Sequence, residues 1–186
     1  MERADEILKF WFGDGPDPAR ERLWFAQDDG FDQACRSGFL ADYERAAAGE
    51  LDSWKDASSS ALALILLLDQ FSRNIFRGAP RAFATDPKAL ATAKEAVARG
   101  FDLALPPVQR PFVYLPFQHS ENLDDQKESV WLFHKLAAEH PATAGYVGYA
   151  EHHLEVISRF GRFPHRNAVL GRASTALEAE FLQRPT

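Results

Sequence analysis

Three short stretches of the chain gather the side chains that could do chemistry. The first holds Asp69, Gln70, Arg73 and Asn74, with Arg77 one turn further on. The second holds His119, Ser120 and Glu121, with Gln126 beyond them. The third holds Arg162, His165, Arg166 and Asn167. A histidine near a carboxylate can serve as a general acid or base, because its pKa lies close to neutrality. Arginines close by would hold a carboxylate or phosphate with forked hydrogen bonds. These residue types predict an Arg/His-lined pocket for a small anionic or polar molecule. Arg73, Arg77, Arg162 and Arg166 would clamp it, with Gln70, Asn74, Glu121 and Asn167 as further ligand-binding groups. If a reaction follows, His119 or His165 moves the proton and Asp69 orients Arg73 or a histidine. The competing structural expectation is a buried polar network that ties helix ends together.

Other chemistries lack their signatures. There is no glycine-rich phosphate loop, no G-x-S-x-G elbow and no H-E-x-x-H. Neither E-x-x-H nor H-x-x-x-H occurs, which removes the usual helical metal pairs. The nearest pattern is His152-x-x-Glu155 beside His153, and adjacent helical residues face about 100° apart, so at most one histidine joins Glu155. No metal or cofactor is expected, and a metal-dependent hydrolase is only a third alternative. Cys35 lies on an apolar helical stripe and is expected to be a buried structural thiol.

The element that must position these groups is the run Ala61 to Leu68, which leads straight into Asp69. Eight consecutive apolar residues leave a helix no polar face, so protein must surround it. The run is too short for a membrane span, which takes about 18 to 20 apolar residues. Asp56, Ser58, Ser59 and Ser60 offer N-caps ahead of it. Asp69 and Arg73, like Gln70 and Asn74, then stand four apart on one face of its last turn. Charges there are costly unless paired or used.

Around that run the punctuation marks further helices. Ala4 to Phe12 is amphipathic and stops at Gly13; residues 14–18 form a loop, and Asp17-Pro18 opens a short helix ending near Trp24 and Phe25. Asp28 or Asp29 caps a helix from Phe31 to about Ala48, closed by Gly49. Thr85-Asp86-Pro87 is a cap followed by proline in the first turn, opening a helix to Arg99. The segment Val108 to Tyr114 meets Pro116 and is expected to bend there. Two longer amphipathic helices follow, from Glu121 to about Ala138 and from Ala142 to Phe160, and Thr175 to Glu178 reads as a capping box. No segment alternates with period two, so the chain reads as all-α. The expected architecture is an irregular array of antiparallel helical hairpins around the buried central helix, in one domain spanning residues 1–186. No 34-residue repeat signature is legible.

Composition narrows the function classes. The net charge of −6 argues against a general nucleic-acid binder. Its distribution is uneven: Ser72 to His119 carries seven Lys/Arg against three Asp/Glu, and Val156 to Arg172 carries four Arg and no acid. Two basic segments in an acidic chain predict a shared electropositive pocket if the fold joins them. A single cysteine and a charged amino-terminal stretch without an apolar signal core predict a cytoplasmic protein, with no membrane association.

Five ordered stretches also resemble one family. They are Ile7 to Gly13, Leu66 to Gly78, Ala82 to Asp86, Tyr114 to Glu121 and Gly161 to Asn167. Together they resemble the bacterial family called domain of unknown function 924, over nearly the whole chain. The resemblance implies an all-helical fold similar to tetratricopeptide-like arrays, and it carries over no activity. Ser72 stands where that family usually has proline. Gln118 stands where it usually has glutamate, so no carboxylate is supplied beside His119 from that position. The array fold and the abundance of aromatics raise a second functional expectation, a helical scaffold for protein or peptide binding, whose mark would be an exposed apolar groove. Trp11, Trp24, Trp54 and Trp131 are the residues that decide it.

Overall fold

The structure, a computed structural model, describes residues 2–15 and 17–183; Met1, Pro16 of the expected 14–18 loop, and residues 184–186 lie outside the described residues. In α1 (Glu2–Phe12), Ala4, Ile7 and Trp11 fall at helical spacing and are buried. Asp17 caps α2 (Pro18–Leu23), its carboxylate accepting from the Ala19 and Arg20 amides. Asp28 caps α3 (Asp29–Ala48) through the Phe31 amide, and Gly49 ends it at φ 89°, a conformation that favours glycine. The central run forms α4 (Ser58–Leu66), continues as a π-helical turn over Leu67–Phe71, and ends in α5 (Ser72–Ile75). Then come α6 (Asp86–Ala98), α7 (Arg110–Gln118), α8 (Leu123–Glu139), α9 (Gly145–Phe160) and α10 (Ala176–Leu182). Among the described residues there is no strand, and the fold is all-α. No helix of the described residues is long and apolar enough to cross a membrane.

Every residue from Ala61 to Leu68 is buried, as its missing polar face requires. Helices α1, α6 and α7 pack on α4, while α3 packs on the π turn and α5. Each leucine enclosed in this way contributes roughly 1.5–3 kcal/mol through removal of its surface from water. The aromatic residues of α1 fill the space beside the π turn, with Trp11 and Phe71 rings 5.1 Å apart and Phe10 and Phe39 rings 4.7 Å apart. Val156, Ile157 and Phe163 form a smaller apolar cluster, with Phe160 and Phe181 against it, that seats α10.

Two local expectations are corrected. No side chain caps α4: Ser60 instead donates to the Trp54 and Ala57 carbonyls. Thr85 does not cap α6 with its hydroxyl. It donates to the Leu68 carbonyl at 2.6 Å, across to the central helix. Pro116, where a bend is expected, lies inside α7, which runs on through it to Gln118.

The π turn is the local departure that shapes the site. Its i→i+5 pattern inserts one residue and leaves carbonyls open to other donors. Side chains fill those places: Ser72 Oγ donates to the Leu68 and Asp69 carbonyls, Thr85 joins it on Leu68, and Arg73 Nη1 donates to the Asp69 carbonyl at 2.5 Å. The widened turn is thereby bonded to its surroundings, and Asp69 and Gln70 sit inside it.

Candidate functional site

Asp69 is completely buried at the end of the apolar helix. A carboxylate there needs compensation, and three groups supply it. His119 Nδ1 lies 2.7 Å from Oδ1, Arg73 Nη1 lies 3.3 Å from the same oxygen, and Gln70 Nε2 donates to Oδ2 at 2.5 Å. Burial by itself would raise the Asp69 pKa. The Arg73 charge and the bond to His119 overcome it, and the carboxyl is held well below the usual carboxylate range. His119 is shifted the other way. Burial, then the Arg73 charge, lowers its pKa against the opposing pull of Asp69, so the ring is neutral at pH 7. With Nδ1 donating to an ionised Asp69, the second nitrogen, Nε2, is the acceptor, and no described protein group meets it.

A second carboxylate joins the remaining pieces. Asp86 accepts a forked pair from Arg73, at 3.0 and 3.1 Å, and a single bond from Arg166 Nη1 at 3.3 Å. Both guanidinium groups also lie over the Phe83 ring, at 5.5 Å for Arg73 and 4.8 Å for Arg166, and Arg166 lies 4.6 Å from the Phe163 ring centre as well. The two arginines differ in how far they are satisfied. Arg73 is bonded to two carboxylates and a carbonyl. Arg166 is 93% buried by its 7% exposure, and its Nε has no partner among the described residues. Burial and the neighbouring Arg73 charge lower the Arg166 pKa to about 10.

This cluster opens onto space. A cavity of 430 Å³ has Phe83, Asp86, Pro116, His119, Glu121 and Arg166 in its wall. Two more cavities adjoin His119: one of 510 Å³ beside Leu115 and Tyr146, and one of 200 Å³ beside Gln70, Arg73 and Arg77. His119 is common to all three. The stretch from Asp69 to Asn74, the residues after α7 and the loop after α9 are therefore brought together through Asp69, His119, Arg73 and Arg166.

The other expected site residues lie elsewhere or are engaged. Asn74 and Arg77 both bind Asp32, at 2.7 Å and at 2.5 and 2.8 Å. Arg162 forks onto Glu178 and donates to the Ala173 carbonyl, away from the cluster. Asn167 is held between Ser174 and Arg172. Glu121 lines the 430 Å³ cavity but accepts from Arg172 and from the Phe163 amide, and these contacts offset the effect of burial and lower its pKa. His165 is exposed in the turn after α9, its ring 5.4 Å from that of Phe163. It is not hydrogen-bonded to Asp69; of the two histidines His119 makes that bond, and of the four arginines Arg73 and Arg166 share Asp86.

Asp86 and Phe83 are the participants that residue types alone did not single out. Asp86 was legible only as the start of α6, where Thr85-Asp86-Pro87 is a strong opening signal. Its forked bond to Arg73 depends on the packing of α6 against the π turn. Among the described residues no group of three or more His, Cys, Asp and Glu side chains could hold a metal ion.

Comparison with known proteins adds family and fold. The model for a bacterial protein of unknown function (DUF924) matches residues 7–186. A solved structure, of a protein of unknown function from Agrobacterium tumefaciens, is similar at 41% identity and a TM-score of 0.86, covering 98% of this chain and 97% of that one. No curated protein matches the chain.

Proposed function

We propose that this chain, which belongs to the bacterial protein family of unknown function DUF924, binds a small anionic molecule between Arg166 and His119 and uses His119 as a base on it. One observation carries the proposal: Arg166, with its under-bonded buried guanidinium, and His119, whose Nε2 has no partner among the described residues, stand in the wall of the same 430 Å³ cavity. A buried cation with an unmet donor is destabilised, and a carboxylate or phosphate placed in that cavity would compensate its charge. Neutral His119, held in one tautomer by Asp69, is prepared to accept a proton at Nε2. Asp69 would then stabilise the imidazolium, as the orienting acid does in other acid–base pairs. Arg166 would balance negative charge left on the guest.

The scaffold alternative loses most of its basis in the aromatic residues. Trp11 and Trp24 are buried and Trp54 is partly packed into the core, leaving Trp131 exposed on α8 with Lys135 over its ring. The proposal is tested by thermal shift against a panel of phosphorylated and carboxylated metabolites. A ligand held at 100 times its Kd stabilises the folded chain by about 2.7 kcal/mol, roughly 5–11 °C for a chain of this size. The shift should vanish in Arg166→Met and persist in His119→Ala, which removes the base and leaves the anion site. A panel with no shifts, or shifts equal in wild type and Arg166→Met, overturns the proposal.

A further inference from the structure

The 510 Å³ cavity has a chemistry distinct from the anion site, though His119 stands in the wall of both. Its other walls include Phe25, Leu115, Gln118, Tyr146 and Tyr149. Aromatic surface dominates. The Phe25 and Tyr146 rings meet edge to face at 6.1 Å, and Tyr146 is stacked on the buried Phe133 ring at 5.7 Å, which fixes its plane. Phe25 and Tyr149 are 59% and 68% exposed, an unusual state for large rings that border a cavity. Their free faces are surface that a flat guest could cover.

Two polar groups of this wall are unspent, whereas His119 and His153 are engaged through Nδ1 with Asp69 and the Tyr149 carbonyl. Gln118 is 95% buried by its 5% exposure, and its side-chain amide makes no hydrogen bond to any described residue; Oε1 is shut off from solvent without a partner. Leaving such an amide unmet costs about 1–3 kcal/mol, and nothing in the packing of α7 explains the cost. The neighbouring buried amide, Gln126, also has an unpartnered Oε1 but differs at Nε2, which is tied to the Gln118 and Ser120 carbonyls, whereas neither end of the Gln118 amide is bonded. Tyr146 also keeps an unbonded hydroxyl, and burial pushes its pKa up to about 12, so it remains a proton donor.

We infer that this cavity seats a planar heteroaromatic ring with an amide-like edge, stacked on Tyr146 and hydrogen-bonded to the Gln118 amide. The ring and the anion at Arg166 belong to one ligand, with His119 between them; that linkage rests on the proposed anion site, whereas the ring site stands on its own walls. An amide edge suits glutamine once the Gln118 amide turns about its terminal torsion, which brings the enclosed Oε1 to the guest's N–H; each then presents one donor and one acceptor, the complementarity by which such side chains read nucleobase edges. Stacking of a base on an aromatic side chain contributes about 1–3 kcal/mol, and the apolar walls here provide for it. The substrate class is therefore a heteroaromatic anion, such as a nucleobase-like ring carrying a phosphate or carboxylate.

The test uses quinolin-2(1H)-one, a flat ring system with a lactam edge and no negative charge, and its N-methyl derivative, which lacks the N–H donor. Both are titrated into the full chain and followed by saturation-transfer NMR. The lactam should bind wild type at least about tenfold more tightly than the N-methyl compound, one hydrogen bond's worth of discrimination. Gln118→Leu should abolish that preference, Tyr146→Ala should weaken both compounds, and Arg166→Met should change neither. Equal binding of the two compounds to wild type, or no binding, overturns the inference without requiring any variant to fold. Inorganic phosphate is titrated in parallel against wild type and Arg166→Met. Phosphate binding lost in that variant, with no lactam preference, defeats the ring site alone. A lactam preference without phosphate binding defeats the anion site and the linkage, and leaves the ring site standing.

Discussion

Asp69 and His119, fifty residues apart in the chain, meet at 2.7 Å through Oδ1 and Nδ1, the acid at the end of a wholly apolar helix and the base just past the end of α7. The contact decides which nitrogen of the ring carries the proton, and together with the Arg73 charge it keeps the acid ionised. Asp69→Asn keeps the shape and removes the charge that Arg73 faces. Breaking one side of a buried ion pair costs about 3–5 kcal/mol, which for a chain of this length is roughly 6–20 °C in Tm. The same substitution should move the His119 proton toward Nε2, visible in the ¹⁵N shifts of the imidazole. An unchanged Tm together with an unchanged tautomer would show that the pair orders nothing.

Histidine burial sets a pH dependence with a definite sign. His119 has a lowered pKa, and burial lowers that of His153 to about 4. A histidine whose folded pKa lies below its unfolded value is protonated first in the unfolded chain. Its contribution to stability is therefore full above about pH 6.5 and is lost as pH falls through the window down to the folded pKa. Tm should be level between pH 7 and 8 and fall steadily from about 6.5 toward 4. His153→Asn should flatten part of that slope. A Tm that rises on acidification through this window would contradict the buried neutral state of both rings.

The π turn makes two hydroxyls share one carbonyl. Thr85 Oγ1 and Ser72 Oγ both donate to the Leu68 oxygen, at 2.6 and 3.0 Å. Either one can be lost while the other still serves the carbonyl, so Thr85→Val and Ser72→Ala should each cost about 1 kcal/mol. Removing both strips the carbonyl of its side-chain donors, and the double variant should cost about 1 kcal/mol more than the sum. Urea unfolding of the four proteins measures the cycle. Strict additivity would mean that the two hydroxyls act separately and that the turn does not depend on their shared acceptor.

These relationships mark where the sequence could be read and where it could not. The central helix was legible because eight apolar residues without a polar face admit one environment. The caps at Asp17, Asp28 and Thr175 were legible because each works within three residues of itself. The π turn was not, since nothing in Leu67 to Phe71 departs from an ordinary helical run. It shows only once Thr85, seventeen residues on, is seen donating back to Leu68. The site was legible as residue types and opaque as partners. Arg73, Arg77, Arg162 and Arg166 look alike in sequence, and packing alone separates the two that share Asp86 from those that bind Asp32 and Glu178. Asp86 itself was hidden behind its second role at the start of α6.

The two arginines on Asp86 should respond oppositely to the same substitution. Arg73 compensates a fully buried carboxylate, and Arg73→Met leaves Asp69 without its guanidinium, a loss of about 3–5 kcal/mol. Arg166 compensates little: Asp86 keeps its forked bond to Arg73 when Arg166 is gone, and the guanidinium carries an unmet Nε and a pKa lowered to about 10. Replacing a buried ion pair with apolar side chains of similar volume is often neutral or stabilising by about 1–4 kcal/mol, and Arg166→Met approaches that case because Asp86 is left paired with Arg73. Arg166→Met should therefore match wild type in Tm or exceed it by roughly 2–16 °C while losing anion binding. A charge kept at a cost in stability is what a binding site requires and what a structural network avoids. If Arg166→Met proves as destabilising as Arg73→Met, then Arg166 belongs to the framework, and the cavity beside it has no claim on an anion.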